Sequence, residues 1–273
     1  MTADDTALAA EAALRRLRGE CAAIGFDIDR VSRSLVERMQ LLAELSGTFD
    51  DAIRLATHAD RIFRHYEATK PDMAFSALER QTVVLASLFS DIGKTGPAEA
   101  DAETRRIVVE AFGVENVRDD TQSLEAFLHA HFPADADRRI ARLSAHGLAP
   151  TMTLRQFWNL HSGWTLAIAE AAGLPPEAVA AAATHHLLES VNPESIVGED
   201  DRFTRRFGDN AAFDRAEKLV ILLDKYDAVI RRGGRTHAEA IAWLREKLAK
   251  SARFHDDATF LTLLGDMDAV LGP

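Results

Sequence analysis

The sequence predicts an all-α protein built as a helical bundle. Apolar residues recur every three or four positions along most of the 273-residue chain, which is the period of an amphipathic helix. No stretch of useful length shows the alternation of apolar and polar residues that a half-buried strand requires. Hydrophobic residues make up 47% of the chain, so we expect one sizeable core with appended elements rather than two independent domains.

The first elements are two amphipathic helices within residues 3–46, separated near Gly25. We therefore divide the chain into an N-terminal helical hairpin, residues 1–47, and a main domain, residues 48–273. Two interpretations of the hairpin remain open. It forms a homodimer contact or receives a signal, or it covers the core of the main domain.

The main domain begins with a predicted helix over residues 50–69, which Pro71 ends, and a second over residues 75–89. Because residues 75–89 are nearly all apolar, we expect this second helix at the centre of the bundle. Residues 97–150 are instead rich in alanine and charge and are interrupted by glycine and proline. We expect three short helices there, forming an insertion on the core.

The C-terminal half begins with a predicted helix pair over residues 153–172 and 175–190. Gly173 can end the first helix, and Pro175 and Pro176 can begin the second. The polar segment 191–210 should be a loop. Three last helices are expected over residues 211–232, 236–251 and 256–271.

Composition restricts the partners of this chain. A formal net charge of -11 leaves no basic surface for a nucleic-acid polymer or an anionic membrane. The single cysteine, Cys21, excludes an intrachain disulfide and fits a reducing compartment. The first five residues are acidic where a signal peptide would be basic, and no apolar run reaches the roughly 18 residues of a membrane span. We therefore expect a soluble, cytoplasmic protein.

Residues with metal-binding chemistry surround Asp91, which closes the apolar run 82–89. A carboxylate at the end of a buried helix is costly unless a cation or a donor compensates it. Asp224, which follows the apolar run 219–223, repeats this situation. The accompanying histidines are His58, His161, His185 and His186. Carboxylates with imidazoles and no thiolates suit one or two ions of iron, manganese, magnesium or zinc.

The adjacent pair His185-His186 limits where such a site can lie. Neighbours on a helix point about 100° apart, so they cannot share one face. Both histidines could therefore serve one site only if it lies between two helices.

These residues, in this order, resemble the HD superfamily of metal-dependent phosphohydrolases. The closest branch is HD-GYP, whose members hydrolyse cyclic di-GMP. The resemblance covers residues 52–248 without the insertion and implies a helical HD-domain fold. The segments that carry it are His58-Ala59-Asp60-Arg61-Ile62, Asp91-Ile92-Gly93-Lys94-Thr95-Gly96, Leu160-His161-Ser162-Gly163-Trp164, His185-His186 and Asp224-Lys225-Tyr226-Asp227-Ala228.

The resemblance implies two metal positions that share Asp91. His58, Asp91 and Asp224 would hold one metal, and Asp91, His161, His185 and His186 would hold the other.

Further residues receive catalytic and substrate-binding roles from the same resemblance. Lys94, with Asp91, would be catalytic and stabilise charge on the phosphoryl oxygens, unless it is only a solvated lysine at a helix end. Arg231 and Arg235 would join Lys94 in binding a small phosphorylated substrate or nucleotide, and Asp227 could brace a ligand.

The chain departs from the family at two places. Ser90 occupies the position of the histidine for which the superfamily is named, and no Gly-Tyr-Pro segment follows His185-His186. We therefore expect one well-held metal, with the other weak or absent. Three functions follow: a phosphohydrolase with an altered first metal site, a degenerate signalling module that binds a nucleotide or protein, and an HD-fold di-iron oxygenase.

Overall fold

A computed structural model describes residues 3–189, 191, 214–252 and 254–272. Within these ranges the chain forms α-helices joined by turns and short 3-10 helices, without a strand, which confirms the all-α prediction. The helices are α1 (Ala3–Ala23), α2 (Arg33–Leu45), α3 (Thr48–Thr69), α4 (Ala77–Phe89), α5 (Ala102–Phe112), α6 (Leu124–His131), α7 (Ala136–Ala145), α8 (Leu154–Ala171), α9 (Pro176–Ala183), α10 (Asp214–Arg231), α11 (His237–Lys250) and α12 (Ala258–Leu271).

Helix α4 is central, as predicted. Ser76 and Glu79 form a capping box at its start, in which each side chain satisfies a backbone N–H. From Thr82 to Phe89 every residue is buried, and the helix packs against α3, α9 and α10. A helix that is nearly all apolar can be surrounded by other helices in this way, because none of its faces needs contact with water.

The N-terminal hairpin packs on the main core. Leu17 and Cys21 of α1 and Leu35 and Met39 of α2 belong to the same buried apolar cluster as the residues of α3 and α4. The hairpin therefore covers this core. Its use as a dimer contact or signal receiver, and the domain division at residue 47, stay predictions.

Arg38 of α2 holds the chain that follows Asp91. Its guanidinium donates to the main-chain carbonyls of Thr95, Gly96, Pro97 and Ala98 at 2.7 to 3.3 Å. Arg38 is 1% exposed, and burial lowers its pKa to about 10, so it remains charged at neutral pH. Buried carbonyls need such donors, so the hairpin supports the Asp91 segment directly.

The insertion contains three short helices, α5, α6 and α7, as predicted. Their apolar residues form a second, smaller cluster with the first turns of α8. The central side chains of this cluster are Val108, Phe127, Leu143, Leu154 and Phe157. The insertion thus has a small core of its own, which rests on α8.

The helix that precedes the histidine pair ends earlier than predicted. Helix α9 stops at Ala183 rather than near residue 190, and His185-His186 lies in a turn before a 3-10 helix, Leu187–Glu189. Nδ1 of His185 donates a hydrogen bond to the carbonyl of Ala182 at 2.7 Å. A longer helix would use that carbonyl for a backbone N–H, so the side chain competes with the helix.

The remaining helices, α10, α11 and α12, begin and end within three residues of their predicted bounds. Of the loop predicted over residues 191–210, all but residue 191 lies outside the described residues. In the described part of the chain, no helix combines the length and the apolar character needed to cross a bilayer.

Replacing Arg38 by methionine should lower the free energy of unfolding by about 3–5 kcal/mol, because several buried carbonyls lose their donor. Urea denaturation measures this change. Arg33→Ala is the control, since Arg33 lies on the same helix with 92% of its side chain exposed and should change stability by about 0.5 kcal/mol or less. Similar losses for both variants would contradict the role of Arg38.

Candidate metal centre

Asp91 lies at the junction of α4 and a 3-10 helix, Ile92–Thr95, that packs against α8. Gly93 permits this contact, because a Cβ atom there would lie 2.0 Å from the carbonyl oxygen of His161. The N–H of Gly93 donates to Oγ1 of Thr165 at 3.0 Å, and that hydroxyl donates to the carbonyl of Ser90 at 2.8 Å. The carboxylate is therefore held next to His161.

The rings of His161 and His185 are oriented by their Nδ1 atoms. Nδ1 of His161 donates to the carbonyl of Trp158 at 2.5 Å, and Nδ1 of His185 donates to the carbonyl of Ala182 at 2.7 Å. A carbonyl only accepts, so Nδ1 carries the proton in each neutral ring and Nε2 keeps its lone pair. This is the arrangement of metal-binding histidines, in which a backbone acceptor fixes the tautomer.

Three acceptor atoms meet at this point. Nε2 of His161 lies 3.4 Å from Nε2 of His185, and Oδ1 of Asp91 lies 3.6 and 3.7 Å from these two nitrogens. Oδ1 of Asp91 is buried and has no hydrogen-bond partner among the described residues. The centre of a triangle with these sides lies about 2.1 Å from each atom, which is the length of a zinc bond to imidazole or carboxylate. The residues therefore fit a metal ion.

His186 lies beside this triangle. Its ring centroid is 4.9 Å from that of His161 and 4.0 Å from that of His185. One ligand atom from each of the three histidines can be chosen so that all lie within 4.8 Å of one another. Because the pair lies in a turn after α9, both imidazoles lie close to His161. On the predicted continuous helix, the two side chains would point about 100° apart.

Asp224 lies on α10 beside the ammonium of Lys225. Nζ of Lys225 is 2.9 Å from Oδ2 of Asp224 and 2.7 Å from Oε2 of Glu189, and it also contacts Nδ1 of His186. Oε2 of Glu189 also lies 2.9 Å from Nδ1 of His186. A lysine therefore contacts two of the residues that the family resemblance assigns to metals.

The protonation states favour metal binding. Burial alone would raise the pKa of Asp91 and Asp224, but Lys94 and the histidines around Asp91, and Lys225 and the histidines around Asp224, hold both values well below the ordinary range. Burial also lowers the pKa of His161. At neutral pH the carboxylates are therefore ionised and His161 is neutral, which are the forms that bind metals.

His58 is the predicted ligand that lies apart from this group. It stands on α3 with its ring 5.7 Å from that of Tyr226, edge to face. Its Nδ1 is buried without a partner, and burial lowers its pKa although Asp227 opposes the shift. Among the described residues it shares no contact with His161 or His185. Coordination by His58 stays a prediction.

An open pocket leads from the surface to Asp91. Ser90, which is 3% exposed, lies in its wall between α3 and α10. The serine thus stands close to both predicted carboxylate ligands. The polar residues that line the pocket are Asp51, Ser90, Asp91, Asp224, Asp227 and Arg232.

An ion-pair network forms the far wall of this pocket. Arg54 donates to Asp227 at 3.0 Å and also pairs with Asp51. Arg231 pairs with Asp51 and lies 3.6 Å from Asp227. Asp227 therefore braces two arginines, while Arg231 is occupied by carboxylates. Arg232 lies 3.9 Å from Asp51, but with 60% of its side chain exposed it is the least buried of these three arginines.

The other two predicted substrate-binding cations, Lys94 and Arg235, lie in different parts of the structure. Nζ of Lys94 donates to Oδ2 of Asp91 at 2.7 Å, so Lys94 belongs to the centre and is not a solvated helix cap. Arg235 is exposed before α11, where its charge acts on Glu239 and Glu246 of that helix. Its predicted contact with substrate remains untested.

Sequence reasoning missed Asp51, Glu189, Lys225 and Arg232. A usable signal existed for Asp51, which precedes His58 by seven residues and so shares its helix face. Lys225 occupies a position that the family motif leaves free, so the motif carries no information about it. Neither Glu189 nor Arg232 has a spacing that distinguishes it from surface residues.

Gly93→Ala should lower the free energy of unfolding by about 3 kcal/mol, at the upper end of overpacking costs, because the methyl group meets the backbone of α8. Gly163→Ala is the matched control. Gly163 lies on α8 with open space around its Cα, so alanine should stabilise the protein by up to about 1 kcal/mol. Urea denaturation of both variants checks the sign of each change, and an alanine tolerated at residue 93 would contradict the close contact.

Comparisons of this chain with protein-family models, curated proteins and solved structures found no match.

Proposed function

We propose that this chain is a metal-dependent phosphohydrolase of the HD type, with one well-held divalent cation bound by His161, His185 and Asp91. The observation that carries the proposal is the triangle of acceptor atoms, 3.4 to 3.7 Å on a side, into which none of the described residues places a donor. Three acceptors do not converge in a largely buried place unless a cation or proton joins them.

The types of ligand restrict which metal ions suit the site. Two imidazoles and one carboxylate suit manganese, iron or zinc, whereas magnesium prefers oxygen ligands. A bound divalent cation supplies Lewis acidity and lowers the pKa of a coordinated water, which is the chemistry that phosphoester hydrolysis needs.

The chain's own side chains perform three further tasks. Hydrogen bonds from Nδ1 of His161 and His185 to backbone carbonyls hold the two rings in their ligand orientation. Lys94 fixes the second oxygen of Asp91 and places positive charge beside the centre. Arg232, at the pocket, can pair with a phosphate oxygen of the substrate.

The substrate we expect is a small phosphorylated molecule. The lining of the pocket combines several carboxylates with one arginine, Arg232. The carboxylate-rich wall would repel a phosphate, so we expect the anion to bind near Lys94 and Arg232. Phosphomonoesters, nucleotides and cyclic dinucleotides share this chemistry, and the absence of the Gly-Tyr-Pro segment leaves cyclic di-GMP without particular support.

A second candidate is a signalling module that binds a nucleotide or protein without turnover. The observation that favours it is the pairing of Asp91 with Lys94 and of Asp224 with Lys225, which neutralises both carboxylates without a metal. A di-iron oxygenase has less support, because it needs two adjacent irons and Ser90 removes one imidazole from the predicted ligand set.

Metal content tests the proposal directly. Protein stripped with a chelator and dialysed against Mn²⁺ or Zn²⁺ should retain about one equivalent, because one ligand triangle is present. His161→Ala and His185→Ala should each lower the affinity by at least about tenfold, since even outer-sphere partners are worth that much. His129→Ala is the control, because His129 is exposed on α6. Equal binding by all four proteins would contradict the assigned ligands.

Hydrolysis of p-nitrophenyl phosphate and bis(p-nitrophenyl) phosphate by the Mn²⁺-loaded protein separates the two candidate functions. The hydrolase should turn over one of these esters, and Lys94→Met should lower kcat by about 100-fold with metal content retained, as expected for loss of a charge that stabilises the transition state. Metal binding without turnover of either ester would favour the signalling module.

Ser90→His should increase the occupancy of a second ion, because the imidazole would enter the pocket wall shared with Asp91 and Asp224. Equilibrium dialysis with Mn²⁺ followed by elemental analysis measures the stoichiometry. Ser90→Ala serves as the control and should leave it unchanged. If histidine brings no gain over alanine, Ser90 does not belong to a coordination sphere.

A further inference from the structure

We infer that the ammonium group of Lys225 replaces the second metal ion of the centre, so that one divalent cation and one built-in lysine cation share the site. This inference rests on the proposed function, since it concerns the same centre. The expectation from Ser90 explains only a missing metal ligand. The inference from Lys225 names the group that neutralises the negative charge of Asp224.

The contacts of Lys225 are those of a cation inside a ligand cluster. Its side chain is 6% exposed, and its Nζ lies 2.7 Å from Glu189, 2.9 Å from Asp224 and against Nδ1 of His186. Asp224 and His186 are both residues that the family resemblance assigns to metals. An ammonium that contacts two carboxylates and an imidazole occupies the place from which these groups would otherwise coordinate an ion.

The charge of the cluster supports a single metal. Asp91, Asp224 and Glu189 are paired with Lys94 and Lys225, so the group carries one net negative charge when its histidines are neutral. One divalent cation would leave a single positive charge. Two would leave an excess of three positive charges in a largely buried place, which disfavours a second ion in the wild type and limits the gain expected for Ser90→His.

Lys218 shows that burial on α10 does not by itself make a lysine part of the centre. It lies two turns before Lys225 with 10% of its side chain exposed, and it pairs with Asp257 at 2.6 Å. Asp257 caps α12, away from the histidines. The two lysines therefore have similar burial and partner type but different neighbours, which makes Lys218 a matched control.

The test is the Mn²⁺ stoichiometry of the full-length protein after chelator treatment. Wild type should bind about one equivalent. Lys225→Met should bind a second, because Asp224, His186 and Glu189 are released, and Mn²⁺ should raise its melting temperature more than that of wild type. Lys225→Arg, which keeps the charge, and Lys218→Met, which removes a buried lysine elsewhere, should both keep the wild-type stoichiometry.

Several outcomes would overturn the inference. These are two equivalents in wild type, no gain in Lys225→Met, or an equal gain in Lys225→Arg. Should the methionine variant fail to fold, Lys225→Gln keeps a hydrogen-bond donor without the charge on a side chain one atom shorter, and its stoichiometry decides the question in the same way. One equivalent in wild type without a gain in the variants refutes only the lysine inference, whereas no Mn²⁺ binding in wild type refutes the proposed function as well.

Discussion

A carboxylate at the closed end of the central helix is the constraint around which this molecule is arranged. Asp91 follows the fully buried end of α4, and its Oδ1 lies 3.6 and 3.7 Å from two imidazole nitrogens whose rings carry their protons on Nδ1. Leaving such atoms unpaired costs several kcal/mol, at about 1–3 kcal/mol for each. Positively charged groups must therefore lie close to the carboxylate of Asp91.

Two lysine side chains of the protein supply part of this positive charge. Lys94 pairs with Asp91, and Lys225 pairs with Asp224 and Glu189. Lys94 binds Oδ2 of Asp91, which leaves Oδ1 facing the two histidine nitrogens, while Lys225 lies among Asp224, Glu189 and His186. A centre with one ligand triangle and two internal cations differs chemically from a two-metal centre, and this is why we propose a single ion.

Support for the centre comes from distant parts of the chain. Arg38 of the N-terminal hairpin holds the carbonyls after Lys94, while Gly93 allows that segment to touch α8 at His161. The hairpin and α8 thus position Asp91 from opposite sides. A substitution in the hairpin or in α8 should therefore alter the centre by moving the backbone of the Asp91 segment.

The sequence by itself determined the helices and the types of ligand, because helical period and capping depend on residues a few positions apart. It also identified Asp91 and the four histidines as candidates. Only the tertiary structure decided that Asp91, His161 and His185 converge, that α9 ends before the histidine pair, and that Lys225 rather than Arg231 supplies charge to the cluster. These outcomes depend on distances between residues far apart in the chain, which no local pattern encodes.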